Sequence, residues 1–284
     1  MKKFFRVATR GSALALRQTQ LVVDFLSKKI EGAAFEVLTI KTSGDKRQDW
    51  SLEAKGGKGL FTKEIEEALV SKEADIAVHS AKDLPTENPE GLQIVGCLPR
   101  DDSRDVMVLR SGVSVPTLIA TGAPRRRAQL KFMFPQAVWG EIRGNVDTRL
   151  KKLAAGAADA TVLSAAGLSR LGIADWDKLV FKPLKINLSV PAVGQGIIAV
   201  QARHEDAMQL SPLFDAPSNL ALSLERAFLT ALGGGCQTAY AAHFDGAVLH
   251  IFHENCGYQK LTFADAKDIF TMKARIAEVA AGLK

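Results

Sequence analysis

Phe4 to Thr9 is an apolar run interrupted by a single arginine, and the stretch from Ala13 to Ile30 places Leu14, Leu21, Val22, Phe25 and Leu26 on one side at helical spacing. This pattern predicts a buried strand, the turn Arg10-Gly11-Ser12, and a helix. Phe35 to Thr42 predicts a second strand, and Leu60 to Ser71 an amphipathic helix with Lys63, Glu64, Glu66 and Glu67 on its wet side. Ala74 to Val78 predicts a short strand, so the alternation reads as an α/β lobe with helices packed on a sheet. From Ser43 to Gly59 the pattern gives way to Gly, Lys and Asp and ends in Lys55-Gly56-Gly57-Lys58-Gly59. Such a stretch reads as a lid or as a solvated loop.

After Leu98-Pro99 the pattern starts again. Ile119-Ala120-Thr121 followed by Gly122-Ala123-Pro124 repeats Val7-Ala8-Thr9 followed by Arg10-Gly11-Ser12, and Ala158 to Ala165 echoes Ala74 to Ala81. The first match is offset by 112 residues and the second by 84, so the first copy holds about 28 more residues between its matched strands, the glycine-lysine stretch among them. Pro191 to Ile197 predicts a glycine-hinged crossing, Ile198 to Ala202 a strand returning to the first lobe, and Asp215-Ala216-Pro217 a linker. A helix to Leu232, strands over 239–244, 248–253 and 259–263, and a terminal helix over 264–283 then predict a third unit. The expected fold is α/β: two lobes facing a cleft plus a small C-terminal α+β domain. Residues 1–96 and 193–214 fall to lobe one, with a lid at about 43–59; 97–192 fall to lobe two, and 216–284 to the third domain.

Composition narrows the partners. With 284 residues and 47% hydrophobic content the chain has ample material for a core. Cys97, Cys236 and Cys256 are odd in number and not spaced as metal knuckles, so neither a disulfide framework nor a metal is expected. The basic start Met1-Lys2-Lys3 lacks the apolar region of a secretory signal, and no window approaches the ~18 apolar residues of a membrane span, which gives a cytoplasmic expectation with no membrane partner. The net charge of +6 invites a nucleic-acid reading, as does the run Arg125 to Arg127. The basic residues are otherwise dispersed and no stacking motif accompanies them, so a small polyanion is the better expectation.

The ends of the predicted strands carry the candidate chemistry. Arg10 and Ser12 bring side-chain donors to a loop that already points helix-start N–H groups at its ligand. His79-Ser80-Ala81-Lys82-Asp83-Leu84-Pro85 follows a buried strand, the place where open α/β sheets bind ligands, and Asp83 is its one carboxylate, read either as a turn cap or as a ligand-facing acid. Pro124 suits a first helical turn, which puts Arg125 and Arg126 against the helix dipole, a misfit unless an anion is present. Asn145 is an expected N-cap with Arg143 before it and Arg149 one turn in, and Arg170 follows another strand end. Any one of these arginines suits a solvated surface; the set of one sign at strand mouths points to an anionic ligand. Gly233-Gly234-Gly235-Cys236 presents a thiol on a turn, either inert and buried or reactive.

Several segments together resemble the hydroxymethylbilane synthase, or porphobilinogen deaminase, family of tetrapyrrole biosynthesis. They are Thr9 to Ser12, Gly56 to Phe61, His79 to Pro85, Arg125 to Leu130, Ile142 to Leu150, Pro191 to Gly196 and Gly234 to Gln237, in family order across nearly the whole chain. The resemblance implies two periplasmic-binding-protein-like (type II) lobes, a cofactor-bearing third domain, and a cytoplasmic monomeric transferase. It joins four porphobilinogen molecules head to tail on a covalent dipyrromethane cofactor, releasing ammonia at each step and then linear hydroxymethylbilane. It further implies that Cys236 carries the cofactor through a thioether, that Asp83 handles protons, and that Lys82, Arg125, Arg126, Ser12 and Gln195 hold the cofactor. Arg10, Arg143, Arg149, Arg170 and Lys58 are implied to bind substrate carboxylates, a task for which planar guanidinium forks suit better than ammonium groups. The chain departs from the family at Gly122-Ala123-Pro124, where Ser-Ser-Leu is usual, and at Thr238-Ala239-Tyr240 after the cysteine. The rival reading of the same two-lobed pattern is a non-catalytic solute-binding protein.

Overall fold

The computed structural model describes residues 2–46, 60–233, 239–263 and 268–283. In chain order the first lobe has β1 (Phe4–Arg10), α1 (Ala13–Lys29), β2 (Ala34–Ile40), a helical turn Ser43–Lys46, α2 (Lys63–Val70), β3 (Ile76–Ser80) and β4 (Leu92–Cys97). The second follows with β5 (Asp105–Arg110), β6 (Leu118–Ala120), α3 (Pro124–Leu130), β7 (Val138–Gly140), α4 (Val146–Ala154), β8 (Ala160–Ser164), α5 (Ala165–Arg170) and β9 (Leu179–Pro183). The chain returns as β10 (Ile198–Arg203) and α6 (His204–Leu210). It ends in α7 (Ala216–Ala231), β11 (Tyr240–Phe244), β12 (Val248–His253), β13 (Gly257–Thr262) and α8 (Ile269–Ala281).

The two larger sheets have one plan. Their orders are β2-β1-β3-β10-β4 and β7-β6-β8-β5-β9, and the third sheet is β11-β12-β13. β1 lies parallel between β2 and β3, as β6 does between β7 and β8. β10 runs antiparallel between β3 and β4, as β5 does between β8 and β9. The sequence repeat is therefore a structural one, down to its polar fastenings. Asp75 Oδ2 accepts the Arg6 N–H at 2.8 Å and Asp159 Oδ2 the equivalent Leu118 N–H at 3.1 Å. Each aspartate also faces the arginine ending the antiparallel strand, Arg203 and Arg110 respectively. The extra length of lobe one has two sources: α1 has 17 residues against 7 in α3, and the connection from Ile40 to Lys63 replaces the short one from Gly140 to Val146.

β3 and β8 are each buried over four consecutive residues, so both of their faces are covered. Two crossings join the lobes, one after β4 and one before β10. Arg100 on the first donates to the Gln195 carbonyl on the second at 2.9 Å and to Glu225 Oε1 of α7 at 2.5 Å. Glu225, fully buried, also accepts the Gly194 N–H at 2.7 Å and the Phe244 N–H of β11 at 2.8 Å. One carboxylate thus ties the third domain to both crossings. Gly194 and Gly196 have φ of +72° and +85°, and a Cβ on Gly196 would stand 2.6 Å from the Asp101 carbonyl oxygen.

Three expectations about elements change. Asp215-Ala216-Pro217 is no linker but the start of α7: Asp215 Oδ2 accepts the Ser218 N–H at 2.9 Å, and Pro217 sits in the first turn, where its missing N–H costs nothing. α2 starts at Lys63 rather than Leu60, which leaves Phe61 outside the helix. α8 starts at Ile269 with Asp268 as its cap, and residues 264–267 lie outside the described ones. Of the predicted lid, 43–46 form the helical turn and 47–59 lie outside the described residues.

Candidate functional site

A cavity of about 580 Å³ opens between the sheets and is lined by both lobes. Lobe one brings the end of β1, the start of α1 and the turn after β3; lobe two brings the loop before α3 and the start of α4. These are the C-terminal ends of parallel strands and the N-terminal ends of helices, where side chains are not committed to the sheet. Ser12 caps α1, its hydroxyl accepting the Ala15 N–H at 3.3 Å, and no acidic residue occupies the first turn. Gln18, one turn further along α1, exchanges hydrogen bonds with Ser80 at 2.9 and 3.1 Å, which fastens the helix to the mouth of β3.

β3 runs into a 3-10 turn, Ala81–Asp83. Ala81 is buried beneath it, its N–H donating to the Ile197 carbonyl at 3.0 Å, while Lys82 and Asp83 are open to the cavity. The turn fits because Gly194 has no side chain: a Cβ there would stand 2.8 Å from that of Ala81. Desolvation, followed by the charge of Arg126, pushes the Lys82 ammonium down to about 8, against the pull of Asp83. His79, 5% exposed, has no hydrogen-bond partner for Nε2 among the described residues, and burial pushes its imidazole down to about 4, so it is neutral at pH 7.

Arg125 and Arg126 do sit in the first turn of α3, and the anion that answers their misfit with the dipole is part of the protein. Asp105, at the start of β5 and fully buried, accepts from Arg125 at 2.7 and 3.1 Å and from Arg126 at 3.1 and 2.7 Å. Ser189 Oγ and Gln195 Nε2 donate to the same carboxylate at 2.7 and 2.9 Å. Burial alone would push Asp105 up, but the two arginine charges and their hydrogen bonds outweigh it and hold the carboxyl far below the usual range. Arg126 lines the cavity from this anchored position; Arg125 and Gln195 stand behind it, Arg125 also donating to the Val190 carbonyl at 3.0 Å and to Gln195 Oε1 at 3.1 Å.

Arg143 and Arg149 line the wall near the start of α4. Arg143 pairs with Glu141 at 2.9 Å, and Arg149 donates to the Gly144 carbonyl at 2.8 Å. Asn145 holds the N-cap position, but its side chain makes no capping bond. Burial, then the charges of Arg126 and Arg143, pull the Arg149 guanidinium below its usual value, partly offset by Asp83. Among the described residues neither Arg149 nor Lys82 forms an ion pair, and Asp83 is a carboxylate whose charge acts on both. Arg170 is set apart: at the end of α5 it holds Asp101 at 2.8 Å and the Gly196 carbonyl at 2.7 Å, clamping both crossings. Lys58 and Cys236 lie outside the described residues; α7, after which Cys236 comes, ends at a left-handed Gly233.

Sequence reading missed Asp105, Asp45 and Phe61. The signal for Asp105 was the pair of arginines in a helix start with no local acid, which requires a carboxylate from elsewhere. Arg10 stacks its guanidinium 4.3 Å from the centre of the Phe61 ring and pairs with Asp45 at 2.6 Å, both in the cavity wall.

Residues 5–211 match the family described as "Porphobilinogen deaminase, dipyromethane cofactor binding domain". The porphobilinogen deaminase of Syntrophomonas wolfei subsp. wolfei is 45% identical over 256 residues, covering 87% of this chain and 83% of its own. That of Brevibacillus brevis is 44% identical over 248 residues, covering 84% and 79%. That of Paracoccus denitrificans is 46% identical over 246 residues, covering 83% and 78%.

Proposed function

Because the chain belongs to the porphobilinogen deaminase family, we propose that it builds its product on a dipyrromethane tethered to Cys236, with the Lys82–Asp83 turn as the centre of proton handling. The reaction is the family's: a transferase condenses porphobilinogen units head to tail to hydroxymethylbilane. At each addition the C–N bond of the aminomethyl group breaks and ammonia leaves, a C–C bond forms from the nucleophilic pyrrole carbon to that methylene carbon, and the nucleophilic carbon gives up its proton. When bound, the dipyrromethane supplies the first nucleophilic pyrrole carbon.

The donor set fits such a group. Every pyrrole of this chemistry carries an acetate and a propionate, and the wall offers Lys82, Arg126, Arg143 and Arg149, with Arg10 across the cavity. Arg126 is the most rigid of these, since Asp105 fixes its guanidinium. Arg10, Arg143 and Arg149, also in the cavity wall, are the residues assigned to incoming carboxylates. Arg125, Gln195 and Arg170 act from behind, by holding Asp105 and the crossings in place.

Asp83 is the observation that carries the mechanistic reading: a carboxylate open to the cavity, on a tight turn at a strand end, facing a cationic wall. Its Oδ atoms can accept the proton of a pyrrole N–H and stabilise positive charge as the ammonium group departs. Preorganised charge of this kind is usually the largest catalytic contribution. The test is intact-protein mass spectrometry with turnover assays on protein from cells that make porphobilinogen. Wild type is expected to carry the added mass of a dipyrromethane, Cys236→Ser to lack it, and Asp83→Asn to fold and lose nearly all turnover. Unmodified active wild type would sink the tether, and an active Asp83→Asn would remove Asp83 from its role.

A further inference from the structure

Arg10 leaves the end of β1 with its guanidinium already occupied. Nη2 donates to Asp45 Oδ1 at 2.6 Å and Nε reaches Oδ2 at 3.5 Å, while the plane rests on Phe61. Asp45 comes from the helical turn Ser43–Lys46, and its Oδ2 also accepts the Thr42 N–H at 3.2 Å and the Thr42 hydroxyl at 2.8 Å. Arg10, Asp45 and Phe61 all line the cavity. A protein carboxylate therefore sits in the fork that a pyrrole acetate or propionate would need.

We propose that Asp45 is a placeholder for a substrate carboxylate: it keeps Arg10 flat on Phe61 while the fork is empty of substrate, and yields the fork when a correctly placed carboxylate arrives. The proposal rests on the reading of Arg10 as a carboxylate-binding residue. Exchange is feasible because both partners are reachable, with 21% of the Arg10 side chain and 29% of the Asp45 side chain exposed. Asp105, buried completely between Arg125 and Arg126, is a pair that no ligand can enter. Displacement strands no charge, since Asp45 keeps both Thr42 bonds and contact with water. Burial raises the Asp45 carboxyl, but the bonds from Arg10 and Thr42 prevail and hold it below the usual value, so at pH 7 it is a charged competitor. The competition confers selectivity. A pyrrole lacking the carboxylate cannot displace Asp45, whereas one that bears it finds an arginine whose rotamer is already set.

Steady-state kinetics with porphobilinogen test this. Asp45→Asn is expected to lower KM about fivefold, the ~1 kcal/mol of a partly exposed ion pair no longer opposing the ligand, without raising kcat. In an Arg10→Gln background the same substitution is expected to leave KM nearly unchanged. An unchanged or raised KM in Asp45→Asn, or an equal fall in the Arg10→Gln background, would each overturn the placeholder. A normal KM for Arg10→Gln alone would overturn it from a different side, by showing that Arg10 binds no substrate carboxylate.

Discussion

Removing the charge of Asp105 isolates what the buried carboxylate does for lobe two. In Asp105→Asn the shape is nearly kept, but one oxygen becomes an NH2 group facing the donors of Arg125, Arg126, Ser189 or Gln195. Two guanidinium groups, each under a tenth exposed, then lie in the interior without a counter-ion. Breaking a buried ion pair from one side costs about 3–5 kcal/mol, a large share of the ~5–15 kcal/mol that holds a typical domain together. At about 2–3 °C per kcal/mol for a chain of this size, the melting temperature at pH 7 is expected to fall by about 10 °C. Thermal unfolding followed by circular dichroism reads this directly. The pH dependence supplies the sign: the native carboxyl titrates far below the unfolded value of about 3.9. Its stabilisation is therefore fully present above that value and lost as pH falls through the acid range, where the unfolded chain takes up a proton the native one refuses. The gap between wild type and variant should narrow as pH drops below about 4. A gap under about 1 kcal/mol at pH 7, or one that stays constant into acid, would refute the assignment of Asp105 as the counter-ion of both arginines.

Two further outcomes are expected. Lys82 holds its proton below about 8, so the carboxylate-binding role proposed for it is available there and lost as pH rises through that value. KM for porphobilinogen should rise about fivefold between pH 7 and 9.5 in wild type and stay level in Lys82→Arg; a level wild-type profile would contradict it. Gly196→Ala forces a left-handed backbone onto a side chain 2.6 Å from the Asp101 carbonyl oxygen, whereas Gly91→Ala meets the same φ problem in open space. Denaturant titration should show Gly91→Ala losing about 1 kcal/mol and Gly196→Ala clearly more; equal losses would mean that the crossings move apart at no cost.

The helices and strands were legible because each depends on local periodicity: Leu21, Val22, Phe25 and Leu26 make α1 amphipathic wherever it packs, and the apolar run of β3 requires cover on both faces. The repeat was legible for the same reason, since Asp75 and Asp159 each open a strand whose neighbour needs an acceptor at that point. The cations at the strand ends were visible too, as were the segments that mark the family. What no local pattern contains is the choice of partner across the chain. Asp105 comes to Arg125 and Arg126 only because β5 runs antiparallel beside β8, and Glu225 meets Arg100 only because α7 packs on the crossings. Arg10, Arg126 and Arg170 look alike in sequence. Burial and long-range geometry make the first a partly exposed fork paired with Asp45 beside Phe61, the second a fixed cation on Asp105, and the third a clamp on Asp101 and Gly196.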